Sequence, residues 1–186
     1  FNGDEDWISA STVHFEDRAA IHSWFTVDKY TSGWKAMIAA GETGTNGFSL
    51  RITDRDSGLN DNLAVRLEEE DGSAVRAKSG PQPVPINTWH STTGVANGSH
   101  LNLYLDGYLV DSTSYDGTIA SPTITEIGRK GGHEAEYWNG KLDDVRIYNT
   151  SLTKNEVQKA MTSPKQPFAS WQSQGGQNLK PEILHW

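Results

Sequence analysis

The side chains with chemistry to offer fall into four groups. Carboxylates crowd the opening as Asp4, Glu5 and Asp6, and return near the other end as Asp143 and Asp144. Such acids, completed by backbone carbonyls, are the mixed oxygen donors that calcium takes in sets of six to eight. The plain alternative is solvated turn acids and strand-end caps. A further acidic run over residues 54–61 has Asp at alternate positions before Gly58. Its twelfth place is Val65, where a calcium loop needs a bidentate Glu, so the run reads as a hairpin loop. The second group is Arg129-Lys130-Gly131-Gly132-His133-Glu134 with Tyr137 beside it. Charge, an imidazole and glycine freedom combine there, as at a ligand-gripping edge or an ordinary surface loop.

Aromatic rings form the third group. Tyr30, Trp34, Tyr108, Tyr115 and Tyr137 sit in or beside turns, where an exposed ring stacks on the apolar face of a sugar and its polar tip reaches a hydroxyl. Tyr137 is the best placed of these, and Trp34 serves core packing equally well. Arginines form the fourth. Arg51 and Arg66 alternate with apolar residues on adjacent strands and Arg76 follows on the next, so all three belong to the solvated side of one sheet. A guanidinium row forks onto carboxylates or sulfates of an acidic polysaccharide. Glu68 and Glu70 stand close enough to neutralise it, and cross-strand ion pairs are the expected use. Enzyme chemistry has little to stand on. Glu68 and Glu70 share a strand face, but Asp71-Gly72 turns the chain at once and no aromatic platform accompanies them. His22, His90 and His100 are scattered, and there is no nucleophile elbow, phosphate loop or metal-binding His pair.

The elements that must position these groups have a period of two. Leu101, Leu103 and Leu105 alternate with polar residues, as do Leu63, Val65 and Leu67, and Phe48, Leu50 and Ile52. Each run is a strand with one buried face. Asx-Gly pairs at Asn46, Asp71, Asn97, Asp106, Asp116 and Asn139 supply the positive φ of tight hairpins. Many short strands joined this way predict an antiparallel β-sandwich. One helix is expected over about 153–161. Thr153 and Glu156 form a capping box, Leu152 and Val157 a hydrophobic staple, and Pro164 closes it. Residues 1–162 read as one domain. Residues 163–186 read as a linker or extension, rich in Gln, Ser and Gly over 170–178, whose last residues read either as an added edge strand or as the stub of a following domain.

The 186 residues suffice for one domain with a real core. No apolar run approaches the ~18 residues of a membrane span. A net charge of −8 argues against a general nucleic-acid binder and leaves room for a cation. With no cysteine, disulfides, zinc-thiolate sites and thiol catalysis are excluded. Phe1 reads as mid-strand sequence, so the chain is expected to be a segment of a longer protein.

Three segments in order carry a family resemblance. Phe1-Asn2-Gly3-Asp4-Glu5-Asp6-Trp7-Ile8 resembles an opening Phe-Asx-Gly strand. Trp89-His90 with Leu101 to Gly107 resembles a Trp-His … Leu-Tyr-Val-Asp-Gly hairpin. The run from Trp138 to Asn149, with Leu152 and Glu156 behind it, is similar to a closing Ile-Asp-Asp-Val-Arg-Ile-Tyr-Asn signature. Together they resemble the laminin-G-like, pentraxin-related branch of the concanavalin A-like jelly rolls. Ser91 departs from the pattern, standing where a second His often follows Trp-His. The resemblance implies an all-β antiparallel sandwich with core aromatics at Trp7, Trp24, Trp89 and Trp138. It implies first and last strands lying side by side, and a structural calcium held by Gly3, Asp4, Asp6 and Asp143. Asp144 is left for a local structural hydrogen bond. The function it implies is non-catalytic binding of a glycan or extracellular protein ligand, in a secreted or surface bacterial protein with neighbouring domains. Tyr137, His133, Arg129, Trp34 and Tyr30 are the candidate ligand contacts. The alternatives are a polysaccharide-active glycosidase or lyase and a structural spacer in an adhesin.

Overall fold

The computed structural model describes residues 1–30, 34–41, 47–52, 63–80, 83–116, 118–130, 136–162 and 184–185. Within them the alternating runs pair into two antiparallel sheets. The first runs in the order β1 (Ile8–Ala10), β10 (Thr125–Ile127), β3 (Lys35–Ala40), β4 (Phe48–Ile52), β5 (Leu63–Glu68), β6 (Ala74–Lys78). The second runs β12 (Leu184–His185), β11 (Leu142–Tyr148), β2 (Arg18–Phe25), β7 (His90–Asn97), β8 (His100–Leu105), β9 (Tyr108–Ser114). The expected sandwich is present, and the terminal segment adds its edge strand by pairing Leu184 with Ile147.

The core lies between the sheets. Phe48, Leu50, Leu63, Val65 and Leu67 from one face meet Ile21, Phe25, Leu101, Leu103 and Ile147 from the other, all fully buried. The sheets approach closely at Gly94 on β7. A Cβ there would collide with the Val65 side chain and press on Leu50, so the layer spacing depends on a residue without one. The Asp106-Gly107 hairpin has positive φ at both residues, 50° and 77°, the backbone that a two-residue turn between twisted strands demands. Beneath it Asp106 clips two strands. Its Oδ1 accepts from the Ser91 N–H and its Oδ2 lies 2.8 Å from His90 Nδ1.

Helix α1 (Lys154–Thr162) begins as its capping box predicts. The Glu156 carboxylate accepts from the Thr153 N–H at 2.8 Å, and the Glu156 N–H donates to Thr153 Oγ1 at 3.3 Å. Leu152 and Val157 pack with Ala20, Val95, Tyr104 and Tyr148, closing the outer face of the second sheet. The helix is too short to cross a membrane, and no other helix among the described residues does so.

Three expectations are corrected. The first and last strands do not lie side by side: β1 pairs with β10 in the first sheet, while β11 belongs to the second. What joins the two ends is the N-terminal turn, through a bridge from Asn2 to Asn139 and reciprocal backbone bonds between Phe1 and Gly140. Trp7 and Trp89 are not core residues, being 41% and 44% exposed; only Trp138 of the four is fully buried. Trp7 directly precedes the edge strand β1 and lies against the Arg129 guanidinium instead of the core. Tyr115, by its sequence a turn aromatic, is buried. Its hydroxyl accepts from Gly98 N–H and donates to the Asp17 carbonyl, tying two loops together.

Candidate functional site

The outer face of the first sheet carries charge where an ordinary solvated face would carry scattered polar groups. Strand alternation sends Phe48, Leu50 and Ile52 inward and leaves Ser49 and Arg51 outward on β4. It does the same for Arg66 and Glu68 on β5 and for Arg76 on β6. Ser49, Arg66 and Arg76 form one row across three strands, each opposite the next. Arg51 stands one step along, only 4% exposed, with Nε and Nη2 donating to Ser49 Oγ at 3.2 and 2.9 Å. Burial pulls its guanidinium down to about 10, with Glu136 opposing that shift. It therefore stays charged at neutral pH.

Around this row the partners are incomplete. Arg66 pairs with Glu68 along its own strand rather than across it. Glu136 is shared by Lys130 at 3.4 Å and Arg51 at 3.8 Å. Arg76 forms no ion pair among the described residues, and burial with the neighbouring Arg66 lowers its pKa. The Nε atoms of Arg66 and Arg76 are buried with no hydrogen-bond partner among the described residues. Trp34 lies over this end of the face, with the Arg51 and Arg76 guanidinium carbons 5.2 and 5.7 Å from its ring centroid, within cation–π reach. The cavity at Ser49, Arg51, Arg66 and Lys130 is only about 10 Å³. It has room for a water but none for a sugar ring, so anything larger must lie on the face rather than enter it.

The other candidate residues fall elsewhere. Arg129 is engaged: Nε and Nη2 fork onto Glu126 at 2.8 and 2.7 Å, its guanidinium stacks 3.6 Å over Trp7, and Tyr137 bonds to it. Tyr137 is half-buried at this cluster. Tyr30 packs against the core and donates its hydroxyl to the Val84 carbonyl at 2.6 Å. His133 and the acidic loop over 54–61 lie outside the described residues. A wider groove of about 500 Å³ runs between Tyr108 and α1, past Asp106, Asn155, Gln158 and Met161. It lacks the converging charges of the first face.

The expected calcium ligands are spread. Gly3, Asp4 and Asp6 share the N-terminal turn, where Asp6 Oδ2 accepts from the Asn2 N–H. Asp143 lies on β11, its Oδ1 accepting from Asp144 N–H. Among the described residues no three His, Asp or Glu side chains gather as a metal site would need. The donors fit an ion at this turn only if carbonyls and water complete it. Asp144 takes the structural bond expected of it, forking onto Arg146 at 2.7 Å through both oxygens.

Alternation along the strands is enough to place Arg51, Arg66 and Arg76 together. It does not by itself bring Lys130 and Glu136 into the same cluster, because they arrive from a distant loop. Ser49 follows from the same period-two count as Arg51 and carries too little charge to draw notice.

Several solved structures share the architecture. Domain 4 of AbnA, a GH43 extracellular arabinanase from Geobacillus stearothermophilus, solved in complex with arabinotriose, superposes with a TM-score of 0.69 at 14% identity, over 87% of this chain and 75% of that one. A SAP-like pentraxin from Limulus polyphemus gives 0.65 at 14% identity, over 100% and 89%. A candidate carbohydrate-binding protein from Bacteroides ovatus gives 0.65 at 18% identity over 83% of this chain, which spans only 43% of that one. No curated protein matches the sequence. The sequence does match the laminin-G family model over residues 2–158, so the chain belongs to the concanavalin A-like lectin/glucanases superfamily.

Proposed function

We propose that this chain is a non-catalytic carbohydrate-binding module of a larger secreted or surface protein. The observation that carries the reading is Trp34, an aromatic ring at the outer face of the first sheet with fixed donors around it. Apolar ring faces of sugars stack on such a platform while charged and hydroxyl donors set orientation. The arabinotriose complex of a structurally similar domain lends support. Catalysis is disfavoured because Glu68, Glu126 and Glu136, carboxylates of this face among the described residues, are each held by a cation, whereas a glycosidase needs two acids free to act on one bond.

Affinity electrophoresis against a panel of soluble polysaccharides tests the reading. The protein should be retarded by at least one, and Trp34→Ala should abolish the retardation while the variant still folds, as its circular dichroism spectrum will show. Retardation by none would leave a structural spacer as the better account. Release of reducing ends or unsaturated sugars would make the protein an enzyme.

Calcium belongs to this proposal as a stabiliser of the N-terminal turn, away from the binding face. An ion bound only by the folded state at a hundredfold excess over Kd would add ~2.7 kcal/mol, or roughly 5–10 °C in melting temperature for a domain of this size. Asp6→Asn should remove that rise. Identical melting curves in chelator and in millimolar calcium would strike the ion from the proposal.

A further inference from the structure

We propose that the glycan this face takes is anionic, its carboxylate or sulfate received by Arg76 and Arg66 while the sugar ring lies against Trp34. The inference rests on the carbohydrate-binding reading above and adds the charge of the ligand.

Three observations lead to it. The first is a local imbalance. Arg51, Arg66, Arg76 and Lys130 share one end of the face with Glu68 and Glu136, while Glu126, farther along the same outward row, is taken by Arg129. The surplus is positive although the whole chain carries −8. Among the described residues, a chain that is acidic overall has concentrated cations at one place. The second is the register. Arg66 and Arg76 stand directly opposite on neighbouring strands, and like charges so placed repel. Glu68 already serves Arg66, which leaves Arg76 without a counter-charge of its own among the described residues. The third is Trp34, close to Arg76 at 5.7 Å. One residue of an acidic sugar presents both halves of the complement, an apolar ring face and, a few ångströms away, an anion suited to a guanidinium fork. A neutral sugar would satisfy the ring and leave the cations as they are.

Isothermal titration and affinity electrophoresis of the intact chain test this. The probes are polygalacturonate, alginate, hyaluronate and dextran sulfate. Their neutral counterparts are fully methyl-esterified pectin, galactan and dextran, with duplex DNA as a non-sugar polyanion. At least one anionic polymer should bind about tenfold or more tightly than its neutral counterpart, and the carboxylated and sulfated arms identify which anion is read. Arg76→Gln should erase that difference, and Arg76→Lys should restore part of it, since a point charge replaces the fork. Trp34→Ala should weaken every glycan. Should Arg76→Gln fail to fold, Arg66→Lys and the salt dependence of the wild type serve instead, with affinity falling steeply as salt is raised. Equal binding of neutral and anionic polymers would overturn the anionic ligand and leave the carbohydrate reading intact. Binding of DNA as tight as of the best glycan, or retention of no anionic polymer, would also overturn it.

Discussion

His22 shows how much one buried side chain can decide. It is fully buried on β2, its Nδ1 2.8 Å from Thr93 Oγ1 and its Nε2 without a partner among the described residues. Burial lowers its pKa from 6.5 to about 4, against the pull of Asp144 and with the help of Arg146. Because the folded state binds the proton less readily than the unfolded one, stability is intact above pH 6.5 and is lost as pH falls toward 4. At about 1.4 kcal/mol per pH unit, the loss between pH 7 and pH 5 is about 2 kcal/mol. The melting temperature of the wild type should therefore drop by roughly 4–8 °C over that interval. In His22→Gln the slope should flatten, whatever the absolute stability. An unchanged slope would assign the acid sensitivity to the carboxylates instead.

Among the elements, those with local signals are legible in the sequence alone. The Leu101–Leu105 strand, the Asp106-Gly107 turn and the capped helix follow from two- and four-residue patterns, because the interactions that make them are between near neighbours. Gly94 is not legible, since its importance comes from Val65 on the opposite layer. A methyl group there must displace a β-branched side chain that is itself fully buried. Overpacking of this kind costs about 1–3 kcal/mol. Gly94→Ala should accordingly lower the denaturation midpoint at an unchanged m-value, while Gly72→Ala, with open space around it, should report only the strain of its positive φ. Equal losses in the two variants would refute the close approach of the layers.

At the scale of the whole molecule the sandwich is foreseeable and its closure is not. Three motifs in order are enough for the family, but which strand neighbours which depends on crossovers that no local pattern records. Hence β1, expected beside β11, pairs with β10. The same limit applies to the site. Arg51, Arg66 and Arg76 can be counted onto one face, yet the approach of Trp34 to Arg76, far apart in the chain, exists only once β3 to β6 have assembled.

The cavity of about 10 Å³ beneath the charged row also bears on how long a ligand would stay. The proposed ligand, held against the face and not inside a cavity, has no enclosing walls to breach on leaving, so a single contact would dissociate quickly. Retention would then come from number instead of depth. A polymer offers the face another repeat as one is released, and a second module joined to the first would meet the strand at a local concentration on the order of millimolar. A face of this kind would suit the proposed role, holding a long chain while still letting it slide.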